Sequence, residues 1–347
     1  MLQAVNSPGA ALSPAPLKGK TASPNCMQGV SPASQYERIE SNIGEGTYGK
    51  VHKARDLNTG SIVAIKKCKV SATDREIGGI SFTVLREIKL MQAVKHPNIM
   101  GCLDVFADGG VLHLVMEYMD GDLQKVLEDR GIALIEAHVK CLSRQLLDGL
   151  SALHRHWFVH RDVTPRNVLL SFSTGVAKLS DFGFARTVGH GDRPLTPMCT
   201  TLWYRAPELL YGAKHYGPSV DIWSAGCVIG EMFLGNALFQ GRGEFDMLAK
   251  LFEKRGTPTE AVWRDVSALP TFVEFSQHPK VPLETILPMA SPCAHALIDQ
   301  LLSLDPKQRP MAEAALQNPF FTTAQPAASR SRDLPFVRTA PGVAPPV

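Results

Sequence analysis

The sequence predicts an α+β protein built in two parts, a β-rich N-terminal part with one helix and a larger, mainly helical C-terminal part. Between Tyr36 and Tyr118, short β-branched stretches are separated by glycine-containing turns, and a single stretch of helical periodicity interrupts them. From His138 onward apolar residues recur at helical spacing instead. The composition, 44% hydrophobic and 20% charged over 347 residues, is that of a globular chain able to bury a core.

Composition also limits the function classes. A formal charge of +3 spread over the whole chain argues against direct nucleic-acid or membrane-surface binding. No segment reaches the run of about 18 apolar residues that a spanning helix requires. The seven cysteines are scattered, odd in number and never spaced Cys-x-x-Cys, which points to a reduced intracellular compartment, nuclear or cytoplasmic, and to no zinc site. Residues 1–34 lack Asp, Glu, Arg and aromatic residues and are expected to form a disordered tail. Ser7, Ser13, Ser23 and Ser31 each precede a proline there, so the tail reads either as an inert linker or as a set of Ser-Pro phosphorylation sites. Pro8, Pro14 and Pro16 interrupt any apolar run of secretory-leader length. Residues 322–347 are again Ala- and Pro-rich and are expected to be disordered too. That leaves 35–119 for the first part and 120–321 for the second.

In the first part, Ile43-Gly44-Glu45-Gly46-Thr47-Tyr48-Gly49-Lys50-Val51 predicts a hairpin turn whose glycines let backbone N–H groups approach phosphates. A dinucleotide-binding turn would continue as a helix, whereas Val51-His52-Lys53-Ala54-Arg55 alternates like a strand and Asn58-Thr59-Gly60 marks another turn. Val63-Ala64-Ile65-Lys66 is a strand whose lysine is either solvated or reaches the α- and β-phosphates of a nucleotide. From Ser81 to Val94, Val84, Ile88 and Met91 repeat at helical spacing, and His96-Pro97-Asn98 ends the helix. Glu87, twenty-one residues after Lys66, is either a surface acid or the partner that orients that lysine. Val111 to Tyr118 predicts a buried strand, and Met119-Asp120-Gly121-Asp122 a linker between the parts. An adenine ring would lie at the end of that strand, beside Met116, with the backbone of Glu117 and Met119 as its hydrogen-bonding edge and Asp122 near the ribose.

The second part centres on His160-Arg161-Asp162-Val163-Thr164-Pro165-Arg166-Asn167, followed by Asp181-Phe182-Gly183. Phosphoryl transfer from a nucleotide needs one carboxylate to accept a hydroxyl proton, and an acid and an amide to hold metal ions against the phosphates. Asp162, Asp181 and Asn167 fit those three roles. A long helix from His138 to His156, with Val139, Leu142, Leu146, Leu150 and Leu153 on its core face, leads into this loop. Beyond it, Gly189-His190-Gly191-Asp192-Arg193 runs to Thr196 and on to Trp203-Tyr204-Arg205-Ala206-Pro207-Glu208. So many glycines and prolines suit a loop that orders on a signal, with Thr196 as the candidate signal. Val220 to Phe321 is helical in pattern, Asp221 opens a buried helix, and Glu208 and Arg309 are candidates for a buried ion pair under the loop.

From about Tyr36 to Phe321 these elements, in this order, resemble a eukaryotic protein kinase. Within that superfamily the chain is similar to the cyclin-dependent kinases through Gly44-Glu45-Gly46-Thr47-Tyr48-Gly49, Ser81-Phe82-Thr83-Val84-Leu85-Arg86-Glu87 and Thr201-Leu202-Trp203-Tyr204-Arg205. His154-Arg155-His156-Trp157, Gly212-Ala213-Lys214-His215-Tyr216-Gly217, Gly256-Thr257-Pro258-Thr259-Glu260 and Ser267-Ala268-Leu269-Pro270 resemble the branch of the CDK-activating kinase, which is also the kinase of transcription factor IIH.

The resemblance implies a two-lobed protein kinase fold, a small antiparallel-β lobe with one helix and a larger mainly helical lobe, with ATP in the cleft and Mg2+ on Asn167 and Asp181. It implies that Ile43, Gly44, Glu45, Gly46, Gly49, Val51, Ala64, Met116, Glu117, Met119, Asp122 and Leu169 line the nucleotide site. Lys66, held by Glu87, would orient the phosphates, and Asp162 would position and deprotonate a substrate Ser or Thr hydroxyl. Arg86, Arg161 and Arg186 would converge on a phosphate at Thr196. The implied partners are a cyclin on the Ser81 to Glu87 helix, protein substrates and a subunit of the transcription factor IIH assembly. The implied substrates are other cyclin-dependent kinases and the Ser-Pro repeats of an RNA polymerase tail, with Arg205 implying a proline-directed preference. The chain departs from the family pattern where Val163 and Thr164 replace the usual Leu and Lys, and where Cys199 and Thr200 stand for two common valines. Two other readings stay open: a catalytically weak pseudokinase or scaffold subunit, and a divergent mitogen-activated kinase, although Thr196-Pro197-Met198 lacks the second tyrosine of the latter.

Overall fold

The computed structural model describes residues 32–46, 49–68, 82–188, 195–196 and 201–338. A short 3-10 helix, Pro32–Gln35, leads into five strands: β1 (Tyr36–Gly46), β2 (Gly49–Asp56), β3 (Ile62–Cys68), β4 (Cys102–Asp108) and β5 (Val111–Glu117). They form one antiparallel sheet in the order β1-β2-β3-β5-β4. Ala54, Val63, Ile65, Phe106 and Val115 cluster on one face, with Tyr36 packed against them. Because successive strand side chains point to opposite faces, Ala64, Lys66 and Cys68 are sent to the other face. There Cys68 and Leu114 join the main core together with helix α1 (Phe82–Ala93), whose Val84, Ile88 and Met91 are buried as their spacing requires.

The large lobe begins with the two-residue strand β6 (Gly121–Asp122) and helix α2 (Leu123–Glu128). It continues through α3 (Glu136–Arg155), β7 (Phe158–Val159), β8 (Val168–Leu170), β9 (Ala177–Leu179), β10 (Arg186–Thr187) and α4 (Pro207–Leu210) to α5 (Ser219–Leu234). β8 pairs with both β6 and β9, and β10 pairs with β7, all antiparallel. Helix α5 is apolar on every side and buried from Val220 to Met232, so it forms the centre of the lobe. Gly235, at φ +74°, ends it in the left-handed conformation that glycine adopts without strain. Around it lie α6 (Glu244–Arg255), α7 (Leu283–Ile286), α8 (Pro292–Leu301), α9 (Ala312–Ala315) and α10 (Pro319–Thr322).

The chain joins the two lobes at more than the expected linker. Asn98 and Met100, which precede β4, are fastened to β9: Leu179 N–H donates to Asn98 O at 2.9 Å, Met100 N–H to Leu179 O at 2.8 Å, and Asn98 Nδ2 to Ala177 O at 2.9 Å.

The expectation that residues 322–347 are disordered fails as far as Arg338. Lys140 of α3 is buried, and its ammonium donates to Ala324 O at 3.0 Å and Pro326 O at 2.6 Å. Ser329 N–H donates to Ala137 O at 3.0 Å, and Leu334 and Phe336 are only 2% and 4% exposed. Two apolar anchors and a set of carbonyls that satisfy a buried cation hold the segment, and an average over an Ala/Pro-rich stretch conceals both. The expected N-terminal tail lies outside the described residues except for Pro32–Ser34, which form most of the short 3-10 helix ahead of β1.

Candidate active site

The cleft between the lobes is built from β3, α1 and the loops on either side of β8 and β9. Lys66 projects from the α1 side of β3, and its Nζ lies 2.7 Å from Glu87 Oε1 and 3.5 Å from Asp181 Oδ1. Burial by itself would lower the pKa of this ammonium, but Glu87 and Asp181 outweigh it and hold it above its ordinary value. Burial pulls Glu87 upward, toward the neutral acid, while the Lys66 ammonium, donating to it at 2.7 Å, pulls it back toward the carboxylate. The spacing of twenty-one residues expected for this pair is therefore realised as a direct contact.

Asp162 and Asn167 sit on the loop after β7. Asn167 Nδ2 donates to the Asp162 carbonyl at 2.8 Å and to Asp162 Oδ2 at 3.0 Å. The other carboxylate oxygen, Oδ1, accepts from Thr201 N–H at 3.1 Å and from Thr201 Oγ1 at 3.2 Å. Asp162 is thus oriented on both sides. Thr201 was legible only as part of a motif, and no role was read for it.

A second missed residue anchors this loop. The buried Asp221 of α5 accepts from His160 N–H and from His154 Nε2 on Oδ2, and from Arg161 N–H on Oδ1, each at 2.8 Å. Its carboxylate fixes a backbone that at Arg161 adopts φ +69°. The available signal was an acid in the first turn of a largely apolar helix, which is costly to bury unless donors surround it. His160 then bridges to the next loop, with Nε2 at 2.9 Å from Ser180 O and its ring edge-on to Phe182.

Asp181 follows with φ +59°, and its Oδ1 is buried and accepts no hydrogen bond among the described residues. Asn167 uses its Nδ2 on Asp162, which leaves its amide oxygen as a donor atom. One carboxylate and one amide oxygen are the hard donors that Mg2+ takes when phosphates and water complete its shell. No group of three or more His, Cys, Asp and Glu side chains that could hold a metal gathers among the described residues.

Of the residues expected around the nucleotide, Ala64 pairs with Met116, Val51 with Lys66 and Gly44 with Val51, which sets these strands side by side above the cleft. Ile43 lies in β1, and Leu169 pairs with Asp122 beneath. At Gly49 a Cβ would stand 2.1 Å from Lys67 O, so only glycine fits. Gly46 pairs with Gly49, the Glu117 carboxylate lies 2.9 Å from Lys178 Nζ, and Met119 is packed against the core. Asp122 has a role that was not foreseen. Its Oδ1 accepts from Lys125 N–H at 2.9 Å and caps α2. Thr47 and Tyr48, Ser81, residues 189–194, and Cys199 with Thr200 lie outside the described residues, as does the side chain of Glu45.

Arg161 Nε and Arg186 Nη1 both reach Phe184 O, at 2.8 and 3.5 Å. Arg161 Nη1 donates to Tyr216 Oη at 2.7 Å, and Tyr216 Oη donates to Thr196 O at 2.6 Å, which links this arginine to the candidate phosphosite. Arg86 lies half-buried on α1 beside Glu87. Arg205, the residue from which a proline-directed preference is implied, has its Nη1 2.6 Å from Glu244 Oε1. Glu208 and Arg309 form the expected buried ion pair through two bonds of 2.7 and 2.8 Å.

Residues 37–321 match the protein kinase domain family. Cyclin-dependent kinase 7 of Dictyostelium discoideum is 45% identical over 286 residues, covering 82% of this chain and 79% of that protein. Its namesake in Xenopus laevis is 41% identical over 305 residues, covering 88% and 86%. Among solved structures, the CAK complex of Chaetomium thermophilum bound to ATP-gamma-S matches with a TM-score of 0.81 and 33% identity over 87% of this chain and 95% of that one. This chain therefore belongs to the protein kinase family, within the serine/threonine kinases that are like cyclin-dependent kinase 7.

Proposed function

We propose that this chain transfers the γ-phosphoryl group of ATP to Ser or Thr hydroxyls in the activation loops of other cyclin-dependent kinases and in the Ser-Pro repeats of an RNA polymerase tail. It would do so with a cyclin on α1 and as part of a transcription factor IIH assembly, in the nucleus or cytoplasm. The observation that carries the chemistry is the doubly oriented Asp162, fixed by Asn167 on one oxygen and Thr201 on the other. A carboxylate so held is placed to take the hydroxyl proton as the oxygen attacks phosphorus. Lys66, kept charged by Glu87, is placed to bind the phosphates. Mg2+, when bound by Asp181 Oδ1 and the Asn167 amide oxygen, would neutralise charge on the transferred group. The Arg161–Tyr216–Thr196 link supports Thr196 as the residue whose phosphorylation tightens the loop. The relatives' names and the solved CAK complex support the branch and the nucleotide.

The test is phosphate transfer from labelled ATP to a Ser-Pro peptide by the purified chain, alone and with a cyclin. Transfer is expected to be nearly absent without the cyclin and strong with it, and to disappear in Lys66→Met and Asp162→Asn. Full turnover without a partner would overturn the cyclin requirement. Persistent transfer by Asp162→Asn would remove Asp162 as the base.

A further inference from the structure

The kinase-domain match ends at residue 321, but the ordered chain continues to Arg338 and reaches the hairpin between Asn167 and Asp181. We propose that residues 323–338 form a strap that positions the metal-binding pair, acting through the contact of Phe336 with Phe172 at the tip of the β8–β9 hairpin. The inference deepens the functional reading above and rests on Asn167 and Asp181 as the metal's donors.

The hairpin is the only covalent path between those two residues, since β8 starts directly after Asn167 and β9 ends two residues before Asp181. Its base is tied across, with Ser180 N–H and Oγ both donating to Asn167 O, at 2.9 and 3.1 Å. Whatever tilts the hairpin therefore tilts both donor residues. The strap grips the other end. The rings of Phe336 and Phe172 lie 5.5 Å apart between centroids, and Arg338 N–H donates to Phe172 O at 2.7 Å. A Cβ at Gly175 would stand 1.8 Å from Ser331 O, so the strap and the turn touch backbone to backbone.

Phe172 faces the linker as well. Its N–H donates to Asp120 Oδ2 at 2.7 Å, and a Cβ on Gly121 would fall 2.8 Å from its ring. One side chain thus meets the strap, the hairpin and the segment that carries the nucleotide's expected hydrogen-bonding edge. The strap's start is held independently, because the carbonyls of Ala324 and Pro326 are the hydrogen-bond acceptors of the buried Lys140 ammonium, which otherwise has the Glu136 carboxylate at 4.0 Å and the face of the Phe320 ring. Removing the Phe336 ring then takes away the side-chain packing on the hairpin tip, while the backbone contacts at Phe172 and Gly175 and the strap's start remain. Phe336 is a positioning residue: it touches neither nucleotide nor reacting atoms.

The experiment compares the parent chain, Phe336→Ala and Phe336→Leu, each full length and cyclin-bound, for the KM of ATP, the Mg2+ concentration at half-maximal rate and the KM of a Ser-Pro peptide. Amide hydrogen exchange across residues 168–179 is read on the nucleotide-free chain. Phe336→Ala is expected to raise the ATP KM and the Mg2+ requirement together by roughly tenfold, the usual effect of losing a residue that orients metal ligands. Its peptide KM should stay unchanged, the hairpin amides should exchange faster, and leucine should restore most of the loss. A parent-like ATP KM and Mg2+ requirement would overturn the proposal. So would a fall in kcat alone that tracks the folded fraction, or a failure of both variants to fold, which would make the segment core and nothing more. A parent that turns over without Mg2+ would overturn the donor assignment instead, while the exchange rates and ATP KM still judge the strap.

Discussion

Replacing Asp221 by asparagine isolates what its carboxylate does, because the side chain keeps its size and loses one acceptor. Three donors converge on the carboxylate at 2.8 Å, and the groups involved are buried. The better of the two amide orientations leaves its oxygen facing His160 N–H and His154 and turns its NH2 toward Arg161 N–H. One charge-assisted bond, worth about 1.5–3 kcal/mol, is lost, and a buried N–H is left unpaired at a cost of about 1–3 kcal/mol. Asp221→Asn should therefore lose about 3–5 kcal/mol in urea unfolding of the isolated chain, read from the midpoint at unchanged slope. Arg161 holds its positive φ against that vanished acceptor, so Asp162 next to it should move as well. Displacing a reacting group by about 1 Å costs about a hundredfold in rate, which sets the expected fall in kcat toward a Ser-Pro peptide. A loss under about 1 kcal/mol with kcat within about twofold of the parent would refute the account, since no reading of three buried donors on one carboxylate allows so little.

Thr164 offers no charge where the family carries a lysine, and a missing donor of that kind costs about 2–4 kcal/mol in the transition state. Thr164→Lys should raise kcat several-fold with little change in the ATP KM, and steady-state kinetics showing no gain would remove the charge argument. Arg309→Leu leaves the buried Glu208 without its two bonds and should cost about 3–5 kcal/mol in thermal or urea unfolding. Burial works against the Asp299 carboxylate, but Lys280 and Arg255 outweigh it and hold its pKa below the ordinary value. A lowered folded pKa contributes stability above the unfolded pKa and loses it as pH falls through the folded one. The parent's melting temperature should thus drop more steeply than that of Asp299→Asn below about pH 4, and parallel curves would exclude the linkage.

What the sequence made legible follows from how local each signal is. The order of Asp162, Asn167 and Asp181 is fixed by one loop and one hairpin, so spacing alone brings them together. Lys66 and Glu87 were paired on spacing too, because strand alternation and helix periodicity each fix a face. Thr201 and Asp221 are different, since they act from segments 39 and up to 67 residues away in sequence. Much of the bonding runs through backbone N–H groups, Thr201's own and those of His160 and Arg161, which leave no trace in side-chain identity. The strap escaped for a related reason: its composition is that of a disordered tail, and its fastening depends on Lys140, which in sequence is one more lysine on a helix. The capping role of Asp122 was not legible because a nucleotide contact and a helix cap ask for the same residue type.

The stitching of Asn98 and Met100 to β9 changes how α1 can swing. The segment just after the helix is held by the large lobe, so any swing of α1 would turn about its C-terminal end, like a door on a hinge near Ala93. At about 1.5 Å per residue, Glu87 sits about 9 Å from that hinge and Phe82 about 16 Å from it. A partner gripping the first turn works with nearly twice the leverage of one gripping at Glu87, and a small push there carries the carboxylate a proportionate fraction of the way. Torque, more than contact area, is then what a binding partner would supply to hold the Lys66–Glu87 pair in the contact seen here.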